Sequence, residues 1–187
     1  MARPPAAPLI LASTSPQRRA ILEQLRIPFD VVAPDFEETD DPVANARGKA
    51  RSVDGDEQPV LGVDTEVLCG GRLFGKAARE EDAIEMLEAL SGRTHEVVSG
   101  LCLRTQAWEE AGSEITRVTF RELTPRDVAA YVASGEWEGR AGAYAIQGLG
   151  AALVSRLEGD YLNVVGLPAA LLVRLLSERF PGTYGFG

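Results

Sequence analysis

Residues Leu9 to Leu25, LILASTSPQRRAILEQL, restrict the fold more than any other stretch of this chain. Leu9 to Ala12 read as a short buried strand, a polar turn follows, and an amphipathic helix starts near Pro16. Ser15 is a good N-cap, Pro16 suits the first helical position, and Ile21, Leu22 and Leu25 form an apolar stripe. The turn therefore gathers the hydroxyls of Ser13, Thr14 and Ser15, the unpaired amides of a helix start, and the guanidiniums of Arg18 and Arg19. Such a combination suits a phosphate, because orphan amides, the helix dipole and arginine forks all favour an oxyanion. The same local pattern also describes an ordinary capped helix with two solvated arginines.

Strand and helix patterns then alternate irregularly. Phe29 to Ala33 read as a strand ending at Pro34 and the acidic loop DFEETDD. Val43 to Val53 read as a helix whose NARGKARSV run is a basic surface face. Pro59 to Val63 form a short strand, and Glu66 to Phe74 a hairpin turning at Gly70-Gly71. Ala83, Ile84, Leu87 and Leu90 fall at helical spacing in a helix from Arg79 to Leu90, with Gly92 as its stop. Val97 to Arg104 and Ile115 to Leu123 read as long strands joined by a loop around Gly112, before a helix from Pro125 to Ala133 closed by Gly135. Ala152 to Leu157 and Tyr161 to Val165 read as strands, and Leu167 to Leu176 as the last buried helix. The pattern predicts an α/β fold on a mixed sheet. No repeat, low-complexity tract or linker interrupts it, so residues 1–187 are expected to form a single domain, with length enough for two lobes sharing one sheet.

Charge and composition exclude several classes. The net charge is −9, and no basic run exists to replace phosphate counterions, which argues against a long nucleic acid partner. A small anionic substrate needs only a local cluster of cations. The apolar run from Leu167 to Leu176 is interrupted by Arg174 and is too short to span a bilayer, and MARPPAAP lacks a signal-peptide core. Cys69 and Cys102 are the two cysteines, far apart and within apolar runs, so a reducing cytoplasm is expected. The oligomeric state stays open, a homodimer included.

Several side chains are of the types that carry phosphate chemistry. Asp64 follows the apolar strand Val60 to Val63, and a carboxylate at a strand end can bind a divalent cation or take a proton from water; equally, it can cap a turn. Glu38 lies in an acidic loop with Glu37, Asp40 and Asp41, where solvation alone explains it. Lys49 and Lys76 are cations to set beside Arg18, and Gly75 lets a phosphate approach the backbone next to Lys76. Gln147, in AIQGLG, has an amide able to read a base edge or to brace its own loop. His95 is the single histidine, which excludes a multi-histidine metal site and leaves it a structural role. Ser13, Ser15 and Ser134 have no activating base nearby in sequence, against nucleophilic serine catalysis.

The opening resembles the first motif of the Maf family of nucleotide pyrophosphatases, which is similar to L-A-S-x-S-P-x-R-R. Four further blocks follow in the family's order: GVDTEVLCGGRLFGKA (Gly62 to Ala77), LSGRTHEVVSG (Leu90 to Gly100), YVASGEWEGRAGAYAIQGLG (Tyr131 to Gly150) and GDYLNVVGLP (Gly159 to Pro168). The resemblance implies a central mixed sheet with two lobes flanking a nucleotide-binding cleft. It implies hydrolysis of the α–β phosphoanhydride of a nucleoside triphosphate, with Asp64 as proton acceptor and, with Glu38, as ligand of a divalent cation (Mg²⁺ or Mn²⁺). Ser13, Ser15, Arg18, Lys49 and Lys76 fall at phosphate-binding positions, and Gln17, Thr65 and Gln147 at positions that select the base. The implied biology is house-cleaning of nucleotide pools in the cytoplasm; the contrasting expectation is a nucleotide sensor that regulates septum formation without turnover. The chain departs from the family pattern at Gln17, where members preferring dTTP and UTP usually carry arginine and those preferring 7-methyl-GTP tryptophan. Glu66, Ala77, Ser99 and Arg140 also differ from the usual residues, and the connection from Glu38 to Lys49 is shorter than is typical.

Overall fold

A computed structural model describes residues 7–186; most of the segment MARPPAAP, read above as lacking a signal-peptide core, lies outside the described residues. Seven strands make one mixed sheet: β1 (Leu9–Ala12), β2 (Phe29–Val32), β3 (Val60–Cys69), β4 (Arg72–Phe74), β5 (Thr94–Arg104), β6 (Glu109–Phe120) and β7 (Val154–Glu158). Their order is β2-β1-β3-β5-β6-β7, with β4 paired to β3. β1 runs parallel to β2 and β3, whereas β4 pairs antiparallel with β3 as a hairpin and β7 pairs antiparallel with β6 after the segment that carries the helix at Pro125–Val132. Six α-helices accompany them: α1 (Pro16–Gln24), α2 (Pro42–Arg51), α3 (Glu80–Leu90), α4 (Pro125–Val132), α5 (Tyr161–Val165) and α6 (Ala169–Arg179). No helix among the described residues is long and apolar enough to cross a membrane.

The chain divides into two compact units. One comprises the chain through Asp64, Ser99–Glu114 and the residues from Gly166 on; the other comprises Thr65–Val98 and Ile115–Val165. In the first unit, β1 is buried along its whole length, as its unbroken apolar run requires for a strand covered on both faces. Its helix α2 lies unusually close to the sheet. A Cβ built on Gly62 of β3 would stand 2.1 Å from the Ala46 carbonyl oxygen, and one on Gly100 of β5 would stand 2.1 Å from the Pro42 carbonyl oxygen. Glycine is required at both places because no side-chain carbon fits in that space. The second unit is cored by Phe74, Leu87, Leu90, Phe120, Tyr131 and Tyr144, with α3 and α4 packed together over it.

Most expected elements form, and three differ. Tyr161 to Val165 is the short helix α5, not a strand: Gly159 at φ +128° redirects the chain after β7, and the Asp160 carboxylate accepts the Leu162 amide, as at a helix start. Five residues, YLNVV, carry too little periodicity to separate the two states. The β5–β6 turn falls at 105–108, closed by the Thr105 amide on the Trp108 carbonyl, so Gly112 sits inside β6. Asp64 is not at a strand end but midway along β3, which continues to Cys69. The predicted turn at Gly70-Gly71 is present, both glycines having positive φ.

Candidate active site

The turn after β1 forms as its sequence demands. Ser15 is the N-cap of α1, its hydroxyl accepting the Arg18 amide at 3.5 Å and donating to Gln17 Oε1 at 3.1 Å. Ser13 is buried, and its hydroxyl accepts both the Ser15 amide at 3.2 Å and Arg18 Nη1 at 3.0 Å. Arg18 Nε donates to the Gly166 carbonyl at 2.9 Å, so this guanidinium is held from two sides, whereas Arg19 is exposed. Burial lowers the Arg18 pKa, and the negative charges of Asp64 and Glu38 oppose that shift. An arginine stays charged regardless.

The centre of the site is a buried ion pair on α2 and β3. Lys49 Nζ lies 2.6 Å from Asp64 Oδ1 and 2.5 Å from Glu38 Oε1, with the lysine and Asp64 both under a tenth exposed. Helix α2 was expected to carry a basic outer face. Arg47 and Arg51 do point outward, but Asn45, Ala46, Lys49 and Ala50 form its buried face. Asn45 and Lys49, four residues apart, are therefore stacked on one side of the helix, and Asn45 Nδ2 donates to Asp64 Oδ2 at 2.8 Å. Sequence reasoning passed over Asn45. The available signal was an asparagine in a helix interior, where its side chain competes with the backbone, one turn before a lysine of interest.

The acidic loop between β2 and α2 is anchored to this helix. Thr39 exchanges hydrogen bonds with the Asn45 side chain, the Phe36 ring occupies the space beside Gly48, and Glu38 reaches Lys49. Thus Ser13, Ser15, Gln17, Arg18, Glu38, Lys49 and Asp64 belong to one unit, where hydrogen bonds and charge link them into two adjoining groups. Thr65 follows Asp64 on β3, half-buried, at the start of the second unit. Lys76, exposed, pairs by its backbone with Ala141 in that unit. Gln147 is exposed there beside a loop braced by Glu136, whose carboxylate accepts the Leu149 amide at 3.0 Å.

His95 has the structural place expected of it. It is buried against Phe120 and Tyr144, its Nε2 lies 2.9 Å from the Tyr144 hydroxyl, and burial pushes its pKa down to about 4. Cys69 and Cys102 are both free and buried, and burial raises the Cys102 thiol to about 12, so it is inert.

Asp64 and Glu38 both approach one ammonium, so two carboxylates already converge on a single cationic point. Hard oxygen donors of this kind fit Mg²⁺ or Mn²⁺. No cluster of three or more acidic, histidine or cysteine ligands occurs among the described residues. Two carboxylates suit a cation that takes its remaining ligands from substrate phosphates and water.

A buried lysine–carboxylate pair beside a helix start with a fixed arginine is the kind of site that handles phosphate esters and anhydrides. The family model described as Maf-like protein matches residues 8–179, and the chain belongs to that family. It is 43% identical over 188 residues to the dTTP/UTP pyrophosphatase of Deinococcus radiodurans, covering 96% of this chain and 95% of that one. It is 45% identical over 180 residues to the enzyme of the same name from Gloeobacter violaceus, covering 91% and 95%. The relative of that name from Pyrococcus furiosus is 39% identical over 180 residues, covering 90% and 93%. Among solved structures, the Ham1 protein of Staphylococcus aureus aligns with a TM-score of 0.47 at 16% identity, covering 61% of this chain and 72% of that one.

Proposed function

We propose that this protein is a nucleoside triphosphate pyrophosphatase that cleaves the α–β phosphoanhydride, releasing a nucleoside monophosphate and pyrophosphate. Its carrying observation is the buried Lys49–Asp64 pair with Glu38 and Arg18 beside it, on a chain similar along its length to dTTP/UTP pyrophosphatases. Asp64 takes the proton of the attacking water, each carboxylate oxygen having two lone pairs of which Lys49 and Asn45 use one apiece. Arg18, Lys49 and the amides of the Ser13–Ser15 turn bind phosphate oxygens and hold the chain in line. A divalent cation, Mg²⁺ or Mn²⁺, held by Asp64 and Glu38, would supply neutralisation of phosphate charge. Lys76, Thr65 and Gln147 are assigned to phosphate and base by the motifs that contain them. Similarity to dTTP/UTP pyrophosphatases, with Thr65 and Gln147 resembling the pyrimidine-preferring branch, supports pyrimidine triphosphates and their modified forms as substrates. Gln17, where such relatives usually carry arginine, departs from that branch and broadens the choice of base. The free, buried thiols support a reducing compartment, the cytoplasm.

A panel of nucleoside triphosphates, assayed with Mg²⁺ and with Mn²⁺ and with separate detection of pyrophosphate and orthophosphate, tests this. Pyrophosphate is the expected product; orthophosphate marks terminal cleavage, and tight nucleotide binding without turnover marks a sensor. Asp64→Asn is expected to lower kcat by roughly 10²-fold or more, and a loss of only a few-fold at saturating metal removes Asp64 from the chemistry.

A further inference from the structure

We infer that Asn45 is a positioning residue for Asp64: one side chain ties the carboxylate on β3 to the acidic loop that carries Glu38. The inference rests on the assignment of Asp64 above. Asn45 is fully buried and saturated in hydrogen bonds. Its Oδ1 accepts the Thr39 amide at 2.7 Å and the Thr39 hydroxyl at 3.0 Å; its Nδ2 donates to the Thr39 carbonyl at 2.7 Å and to Asp64 Oδ2 at 2.8 Å. A carboxamide offers two lone pairs and two hydrogens, and all four are used.

Because Thr39 presents both a backbone donor and a backbone acceptor, the amide orientation is determined. A flipped amide would set N–H against N–H and oxygen against oxygen. The group facing Asp64 is therefore a donor, aimed at Oδ2 while Lys49 holds Oδ1. With one oxygen held by the ammonium alone, the carboxylate plane would be free to turn about χ2. With both oxygens held from one helix face, the plane is set, and so is the direction in which its remaining lone pairs point. Misplacement of a reacting group by about 1 Å is enough to cost up to 10²-fold in rate, so this contact belongs to turnover more than to nucleotide affinity.

Asn45→Leu keeps the approximate volume and removes the donor. Its expected effect is a kcat about tenfold lower, with KM for the nucleotide within about twofold of the parent. Combined with Asp64→Asn it should add almost nothing, since its effect passes through Asp64. In the metal-free protein, the Asn45 side-chain NH₂ signals, assigned by their loss in the Leu variant, should exchange slowly with solvent and shift in Asp64→Asn.

A kcat within twofold of the parent, full additivity with Asp64→Asn, or fast-exchanging NH₂ signals would each overturn the inference while leaving Asp64 catalytic. An active Asp64→Asn protein would overturn the underlying assignment instead, and this inference with it. If Asn45→Leu does not fold, by urea titration and circular dichroism, Asn45→Ser is measured in the same cycle; its hydroxyl is too short to bridge Thr39 and Asp64 together.

Discussion

Both units bury polar side chains, but they treat charge in opposite ways. The first holds a lysine and an aspartate away from water, with Glu38 and Arg18 close by. The second buries His95 among aromatic rings, where it stays neutral and Nδ1 makes no hydrogen bond among the described residues. A buried neutral histidine beside a tyrosine hydroxyl is accounted for by packing and one hydrogen bond. A buried, fully partnered ion pair is costlier to assemble, and hydrophobic residues of similar volume often serve stability as well. Packing alone therefore gives no reason for the Lys49–Asp64 pair, and the proposed binding of a phosphate and a cation does.

The strongest way to break that contrast is Lys49→Met, which leaves Asp64 buried without its cation. Stability is expected to fall by about 3–5 kcal/mol, read from the urea midpoint at constant slope. A loss under about 1 kcal/mol would mean that the pair behaves like an exposed one.

The second unit is probed by pH. His95 has an ordinary pKa near 6.5 in the unfolded chain and about 4 when folded. Between those values the unfolded chain binds a proton that the folded state refuses. Stability therefore rises with pH across this window, is complete above 6.5 and is lost as pH falls towards 4. The change from this group is about 3 kcal/mol. His95→Gln, which retains a partner for the Tyr144 hydroxyl, should flatten that slope and leave nucleotide turnover at pH 8 unchanged. An unaltered slope would place the acid sensitivity elsewhere.

The smallest expected effect decides which unit reads the base. Gln17→Arg, on the first turn of α1, should shift kcat/KM toward dTTP and UTP by about tenfold, or ~1.4 kcal/mol. An unchanged ratio across the nucleotide panel would move base selection to Thr65 and Gln147 in the second unit.

How far each unit can be read from sequence follows from the range of its signals. Ser15-Pro16, Gly70-Gly71 and Pro125 announce their helix starts and turns because the relevant partners lie within a few residues. Helix α3 is legible from its 3.6-residue spacing. By contrast, α5 is too short to show a period, and β3 runs past Asp64 because its pairing with β4 lies further along the chain. Asp64, Lys49 and Glu38 were recognisable as charged residues in familiar motifs. Their mutual contact was not, since it joins positions 15 and 11 residues from Lys49 through a helix whose inner face was read as outer. Asn45 was hidden for the same reason: its worth lies in what stands opposite it.

Two hydrogen atoms set the clearance beneath α2. With any side chain at Gly62 or Gly100, the helix would have to ride higher over the strands, and its reach toward Asp64 would shorten at both Asn45 and Lys49. The working tolerance of the site is thus held at positions that have no chemistry of their own. A redesign that preserved every charged and hydrogen-bonding group, yet treated these glycines as filler, would lift the tool off its workpiece without altering a single functional atom.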